Sequence, residues 1–183
     1  MHLDAKQIRV LAHPLRARLL GQLRIDGPAT ATRLAEALGT NTGATSYHLR
    51  QLAAVGLVAE EDGAGRGRER WWRSAHRVSS WQPGDYAGDP DATAAAEWME
   101  SHWLRIFNEQ AEAWHRVRGD AEPQWRDAAG FSDFQLELSA GQLGAMNDEI
   151  AQVVERYRQV GPGPEARRVL LYVYGFPYQG EGK

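Results

Sequence analysis

Two capped segments between residues 30 and 56 constrain the fold of this chain more than any other feature. Thr30 can cap a helix over ATRLAEAL, which Gly39 then ends. Asn41 or Thr42 can cap another helix immediately after it, running through TSYHLRQLAAV to Gly56. Two short helices joined by a glycine-containing turn of three or four residues form a helix-turn-helix. Upstream, Ile8, Leu11, Leu15, Leu19 and Leu23 recur at spacings of three and four, the stripe of an amphipathic helix. Pro14 interrupts that stripe, and proline is tolerated only in a first turn. The reading is therefore a short helix to about Ala12 and a second from Pro14 to near Gly27. After Gly56, LVAEE, the glycine-rich DGAGRGRE and RWWRS predict a β-hairpin with a long tip.

The second helix of the motif has two unlike faces. Thr45, Leu49 and Leu52 share one and should pack on the scaffold, while Gly43, Ser46, Tyr47 and Arg50 share the other. A helix entering a major groove needs small residues where it approaches the bases and hydrogen-bonding groups beside them. Gly43 permits close approach, and Thr42, Ser46 and Tyr47 can bond phosphate or base edges. Arg50 can reach guanine or a phosphate. The hairpin adds Arg66 and Arg68 at its tip, with Arg70 and Arg73 on the return strand, suited to phosphates or a narrow minor groove. Either set can equally be an ordinary solvated surface. His48, between the two faces, is expected to be a packing residue.

Charge divides with position. Residues 1–80 hold 12 Lys and Arg against 7 Asp and Glu, whereas residues 81–183 hold 9 against 17. Only the front of the chain suits a polyanion. Nineteen of the 21 basic residues are Arg, which favours phosphate and guanine contacts, as would a coding bias without that role. The chain has no cysteine, which excludes disulfides, thiolate metal sites and thiol catalysis. No signal peptide and no run near the roughly 20 apolar residues of a membrane span is present, so a cytoplasmic location with no membrane partner is expected.

QPGDYAGDPD marks the expected boundary, giving a DNA-binding domain over 1–80, a linker over 81–91 and a dimerisation and effector-binding domain over 92–183. Met99, Trp103, Phe107, Trp114 and Val117 fall along one face of a helix of about 28 residues. FQLEL alternates from Phe134 to Leu138 as a half-buried strand should. Ser139 and Gln142 form a capping box for a helix carrying Leu143, Met146, Ile150, Val154 and Tyr157 on one side. VLLYVYGF reads as a strand covered on both faces. The expected fold class is α+β and mainly helical: a winged helix-turn-helix followed by two long helices and a small strand pair. Trp98, Trp103, Phe107, Trp114, Tyr172 and Tyr174 would line an apolar effector pocket or else form a core or dimer interface.

LAHPLRARLLGQL, its spacing to TRLAEALG, and SYHLRQLAAVGLV followed by a basic hairpin resemble the winged helix-turn-helix of the ArsR family of bacterial repressors, over about residues 5–77. That resemblance implies a homodimer that binds an imperfect palindrome in double-stranded DNA and is released by an inducer. The rear half resembles the extension of ArsR-like proteins of high-GC bacteria, in which a long helix and an FxLxLS…RVL strand pair follow the wing. Metal-sensing members use cysteines, absent here, or an acidic and histidine-rich pair on the terminal helix. Glu100-x-His102 and His115 approach that pattern, but residues thirteen apart lie about 220° apart on a helix. No metal and no cofactor are therefore expected, and an effector should be a small organic molecule. No G-x-S-x-G, H-E-x-x-H or phosphate-loop pattern occurs, so no catalytic residue is assigned and the chain is not expected to be an enzyme. The alternative is a winged-helix protein-interaction module with no specific operator.

Overall fold

The computed structural model describes residues 1–61 and 69–180, and forms two compact units, Met1–Glu109 and Gln110–Lys183. In the first, Asp4 and Gln7 close a capping box that starts helix α1 (Ala5–Leu11). His13 caps α2 (Pro14–Asp26) with Pro14 at its first position, where the missing N–H costs nothing. The motif helices follow as α3 (Ala31–Leu38) and α4 (Thr42–Ala53). Gly39 ends α3 with φ +62, and Asn41 begins α4.

Behind the helices lies a three-stranded antiparallel sheet of order β1-β3-β2, made of β1 (Ala29–Thr30), β2 (Val58–Glu60) and β3 (Trp71–Ser74). The predicted hairpin supplies β2 and β3, in the register Val58↔Ser74 and Glu60↔Trp72. β1 has no sequence signal, being two residues long and fixed by pairing Ala29↔Trp72 and Thr30↔Trp71. Leu19, Leu20, Leu23, Leu34, Leu49, Leu52 and Trp72 are buried in one core that seats α4 on the scaffold.

The stretch expected as a linker is built into this unit. Residues 83–86 form a 3-10 turn, and the buried Tyr86 donates its hydroxyl to the Leu3 carbonyl at 2.9 Å. Helix α5 (Pro90–Val117) then begins, burying Ala92, Ala95, Ala96, Met99 and His102. Of the expected aromatic face, Trp103 and Phe107 are only half-buried.

The second unit holds α6 (Pro123–Ala128), which was not expected, and α7 (Ala140–Gln159), started by the predicted Ser139–Gln142 capping box. The predicted strand pair is not formed: Phe134–Leu138 and residues 169–176 make no strand hydrogen bonds. Alternation and β-branched content favour an extended chain, but a strand exists only when a ladder partner takes up its amides and carbonyls. Neither segment has that partner among the described residues, and their apolar side chains stand exposed, Phe134 by 81%. No described residue of this unit is buried. No helix among the described residues is long and apolar enough to cross a membrane.

Candidate nucleic-acid interface

The turn between α3 and α4 is held by three local devices. Gly39 adopts the left-handed conformation that only glycine takes without cost, and Thr40 N–H returns to the Ala35 carbonyl at 2.9 Å. Asn41 accepts from Ala44 N–H at 2.7 Å. Gly43 serves that cap too, since a Cβ there would stand 3.3 Å from Asn41 Oδ1. The sequence suggested only that Gly43 lets DNA approach.

With its start fixed, α4 turns Thr45, Leu49 and Leu52 fully into the core. Thr42, Gly43, Tyr47 and Arg50 are exposed, Tyr47 by 52%, and Ser46 is half-buried. No carboxylate occurs anywhere in TGATSYHLRQLA, and Arg50 makes no salt bridge among the described residues. The exposed face of α4 thus offers hydroxyls and one uncompensated guanidinium to an anionic or polar partner.

The hairpin's arginines are placed differently. Arg70 pairs with Glu60 at 3.1 Å and lies over the Trp72 ring, and Arg73 pairs with Glu61 at 2.7 Å. These exposed pairs are weak, on the order of 0–1 kcal/mol, so a phosphate can displace either carboxylate. Arg66 and Arg68, the expected tip residues, lie outside the described residues. The exit of the hairpin is fastened to α2 by Arg24, which donates Nε to the His76 carbonyl at 3.1 Å and Nη2 to Ser79 Oγ at 2.6 Å. Burial brings Arg24 down to about 10, still charged at neutral pH.

Sequence reasoning missed one feature beside α4. The ring of His48 meets that of His13 with centroids 4.5 Å apart, and Tyr47 stands edge-on to His48 at 5.1 Å. Burial, with Arg16 nearby, lowers the pKa of both imidazoles, and His13 further lowers that of His48. The residues are 35 positions apart, and no local pattern announces the contact.

The expected effector residues are divided between the units. Trp98, Trp103 and Phe107 belong to the first, where Trp98 stacks on His102 with centroids 4.8 Å apart. His102 in turn contacts Arg105 through Nδ1 at 2.8 Å. Trp114, Tyr172 and Tyr174 belong to the second, where Tyr174 meets Phe176 at 5.4 Å. An open cleft lined by Glu122, Gln124, Pro164 and Arg167 includes none of the six.

Residues 11–61 match a family described as a helix-turn-helix domain. Over 62 residues, 34% of this chain, the sequence is 47% identical to the HTH-type transcriptional regulator NmtR of Mycobacterium tuberculosis, and the chain spans 50% of that relative's length. Among solved structures, one described as a possible transcriptional regulator for arsenical resistance is 30% identical, covering 66% of this chain and 98% of that one at a TM-score of 0.33. The adhesin competence repressor AdcR of Streptococcus pyogenes is 15% identical, covering 85% of this chain and 82% of that one at a TM-score of 0.28. Residues 11–61 of this chain are thus a helix-turn-helix domain, similar in sequence to that of the regulator NmtR.

Proposed function

We propose that this chain is a DNA-binding transcriptional regulator that works in the cytoplasm as a homodimer on an imperfect palindrome, with α4 in the major groove and the hairpin as a wing. The carrying observation is the exposed face of α4, which has Thr42, Ser46, Tyr47, an Arg50 that makes no salt bridge among the described residues, and no carboxylate. Thr42, Gly43, Ser46, Tyr47 and Arg50 take the base-reading role, and Arg66, Arg68 and Arg70 grip phosphates. The relative NmtR, named as a transcriptional regulator, supports the same reading.

Dimerisation is supported by the second unit. Phe131, Phe134, Val169, Leu171, Tyr174 and Phe176 are each more than 60% exposed there. Together they present on the order of 800 Å² of apolar surface, about one partner's share of a standard interface. Single exposed apolar side chains are ordinary, but this many large ones in one short unit favour a partner that covers them. A second copy would cover them and set two recognition helices roughly 34 Å apart, one turn of DNA. Repression relieved by a small organic molecule follows from the family resemblance, with the half-buried Trp98, Trp103 and Phe107 as its first candidate contacts.

Selection of bound duplexes from a random pool, followed by fluorescence anisotropy, tests the DNA reading. A recurring palindromic site bound at least about a thousandfold more tightly than random DNA is expected. Equal, weak binding to every sequence would favour the protein-interaction alternative. Light scattering should give a dimer at micromolar concentration; a monomer would refute that part.

A further inference from the structure

Most arginines of the first unit that lie near another element are tied to an acceptor. Arg9 pairs with Asp89, Arg73 with Glu61, Arg18 bonds the Leu38 carbonyl, and Arg24 bonds His76 and Ser79. Arg16 differs. It makes no salt bridge among the described residues, its Nε is enclosed without a hydrogen-bond partner, and the basic rings of His13 and His48 lie beside it. His48 likewise leaves Nδ1 enclosed and unpartnered. Among the described residues, folding has brought three nitrogenous bases together with no carboxylate acting on them.

The groups that act on the two rings can be taken element by element. Arg16 faces them from α2, and Tyr47 touches His48 from α4 and acts on Arg16. α1, α3 and β2 also pack on α4, and β3 on α2, yet among the described residues no group from any of them acts on the rings. Because His13 Nδ1 accepts from Leu15 N–H at 3.2 Å, its proton resides on Nε2, leaving a donor for an incoming oxygen. His2 shows the contrast, since Asp85 pairs with it at 2.7 Å.

Location gives the trio its partner. Tyr47, in ring contact with His48, lies on the exposed face of α4 with Arg50. When that face enters a major groove, the flanking backbone phosphates pass beside it. We propose that His13, Arg16 and His48 form a phosphate clamp at the edge of the recognition helix, and that the clamp takes up a proton at His48 as it engages DNA. This rests on the DNA-binding reading above. The phosphodiester supplies a negative charge beside Arg16 and favours the imidazolium form of His48, whose Nδ1 has no partner to lose, while His13 keeps Nδ1 for the Leu15 N–H and donates from Nε2. Arg16 contributes a permanent charge and His48 a conditional one, so binding tightens as the solution is acidified.

The test uses the full-length protein and a mixed-sequence duplex, with affinity measured by anisotropy from pH 8 to pH 6 at fixed ionic strength. Wild-type protein should bind several-fold more tightly at pH 6, up to about tenfold per pH unit for each proton taken up. His13→Asn, which keeps a capping acceptor for α2, combined with His48→Gln should bind more weakly than wild type at pH 6 and lose the pH response. His76→Gln should retain it. Arg16→Gln should reduce the slope of log affinity against log salt by about one, independently of the histidine variants. A wild-type affinity unchanged by pH, or a response surviving in the double variant, would overturn proton uptake. An unchanged salt slope in Arg16→Gln would overturn the clamp. If wild-type protein binds duplex at no pH, the DNA-binding reading falls and the clamp with it. Binding that is tight but indifferent to pH removes only the present inference.

Discussion

Replacing Arg24 with Met should loosen the wing from the scaffold by an amount the structure sets. The methionine keeps most of the apolar stem but removes two well-formed bonds, to the His76 carbonyl at 3.1 Å and Ser79 Oγ at 2.6 Å, and a marginal third to Ser74 Oγ at 3.4 Å. A hydrogen bond from a charged donor contributes about 1.5–3 kcal/mol, but the freed acceptors lie near the surface and regain water. A net loss of about 2–3 kcal/mol is therefore expected, or roughly 5–10 °C in Tm for a chain of this size. Urea denaturation of wild type, Arg24→Met and Arg9→Met measures it. Arg9 is the control, because its pair with Asp89 is exposed on both sides and should contribute no more than about 1 kcal/mol. If the two variants lose equally little, Arg24 is not the fastening described, and the wing is held by its strands alone.

Acidification should weaken the free protein. Burial is the main cause lowering the pKa of His13, His48 and His102 from the ordinary value near 6.5. Below that value the unfolded chain binds protons that the folded one refuses, so the stability these neutral rings contribute is complete above it and is lost as pH falls. Calorimetry should give a lower Tm at pH 5.5 than at pH 7.5, with a smaller loss in the His13→Asn, His48→Gln protein; a Tm that rises on acidification would reverse the assignment. Asn41→Ala should cost about 1 kcal/mol in urea denaturation by removing the α4 cap, and no loss would mean that the helix start needs no side chain.

The motif was legible because its boundaries are written in local chemistry. Pro14, Thr30, Gly39 and Asn41 act within a turn of themselves, and the structure places each at a helix end. Features made by distant residues were not legible. β1 is two residues long and exists through Trp71 and Trp72; Arg24 reaches the wing 50 or more positions on; and His13 meets His48 only when α2 packs on α4. At the rear of the chain the pattern misled. Phe134–Leu138 has the alternation of a strand, but alternation reports a face to be covered and not the edge that would pair with it. The exposed face of α4 was visible from its period alone, whereas the second use of Gly43, making room for the Asn41 cap, needed coordinates.

The central claim is that α4 reads bases while the wing grips phosphates, and Arg50 decides it. Anisotropy across a salt series, on the selected palindrome and on random duplex, should be run for wild type, Arg50→Ala and the paired Arg66→Ala, Arg68→Ala protein, each confirmed to retain the wild-type oligomeric state. Arg50→Ala should lose about 1–3 kcal/mol on the palindrome and much less on random DNA, relaxing preference at one position per half-site. The wing variant should lose affinity on both and show a shallower salt slope. An Arg50→Ala loss equal on the two DNAs would make Arg50 a phosphate contact and contradict base reading by α4; no loss in either variant would contradict DNA binding through this face altogether.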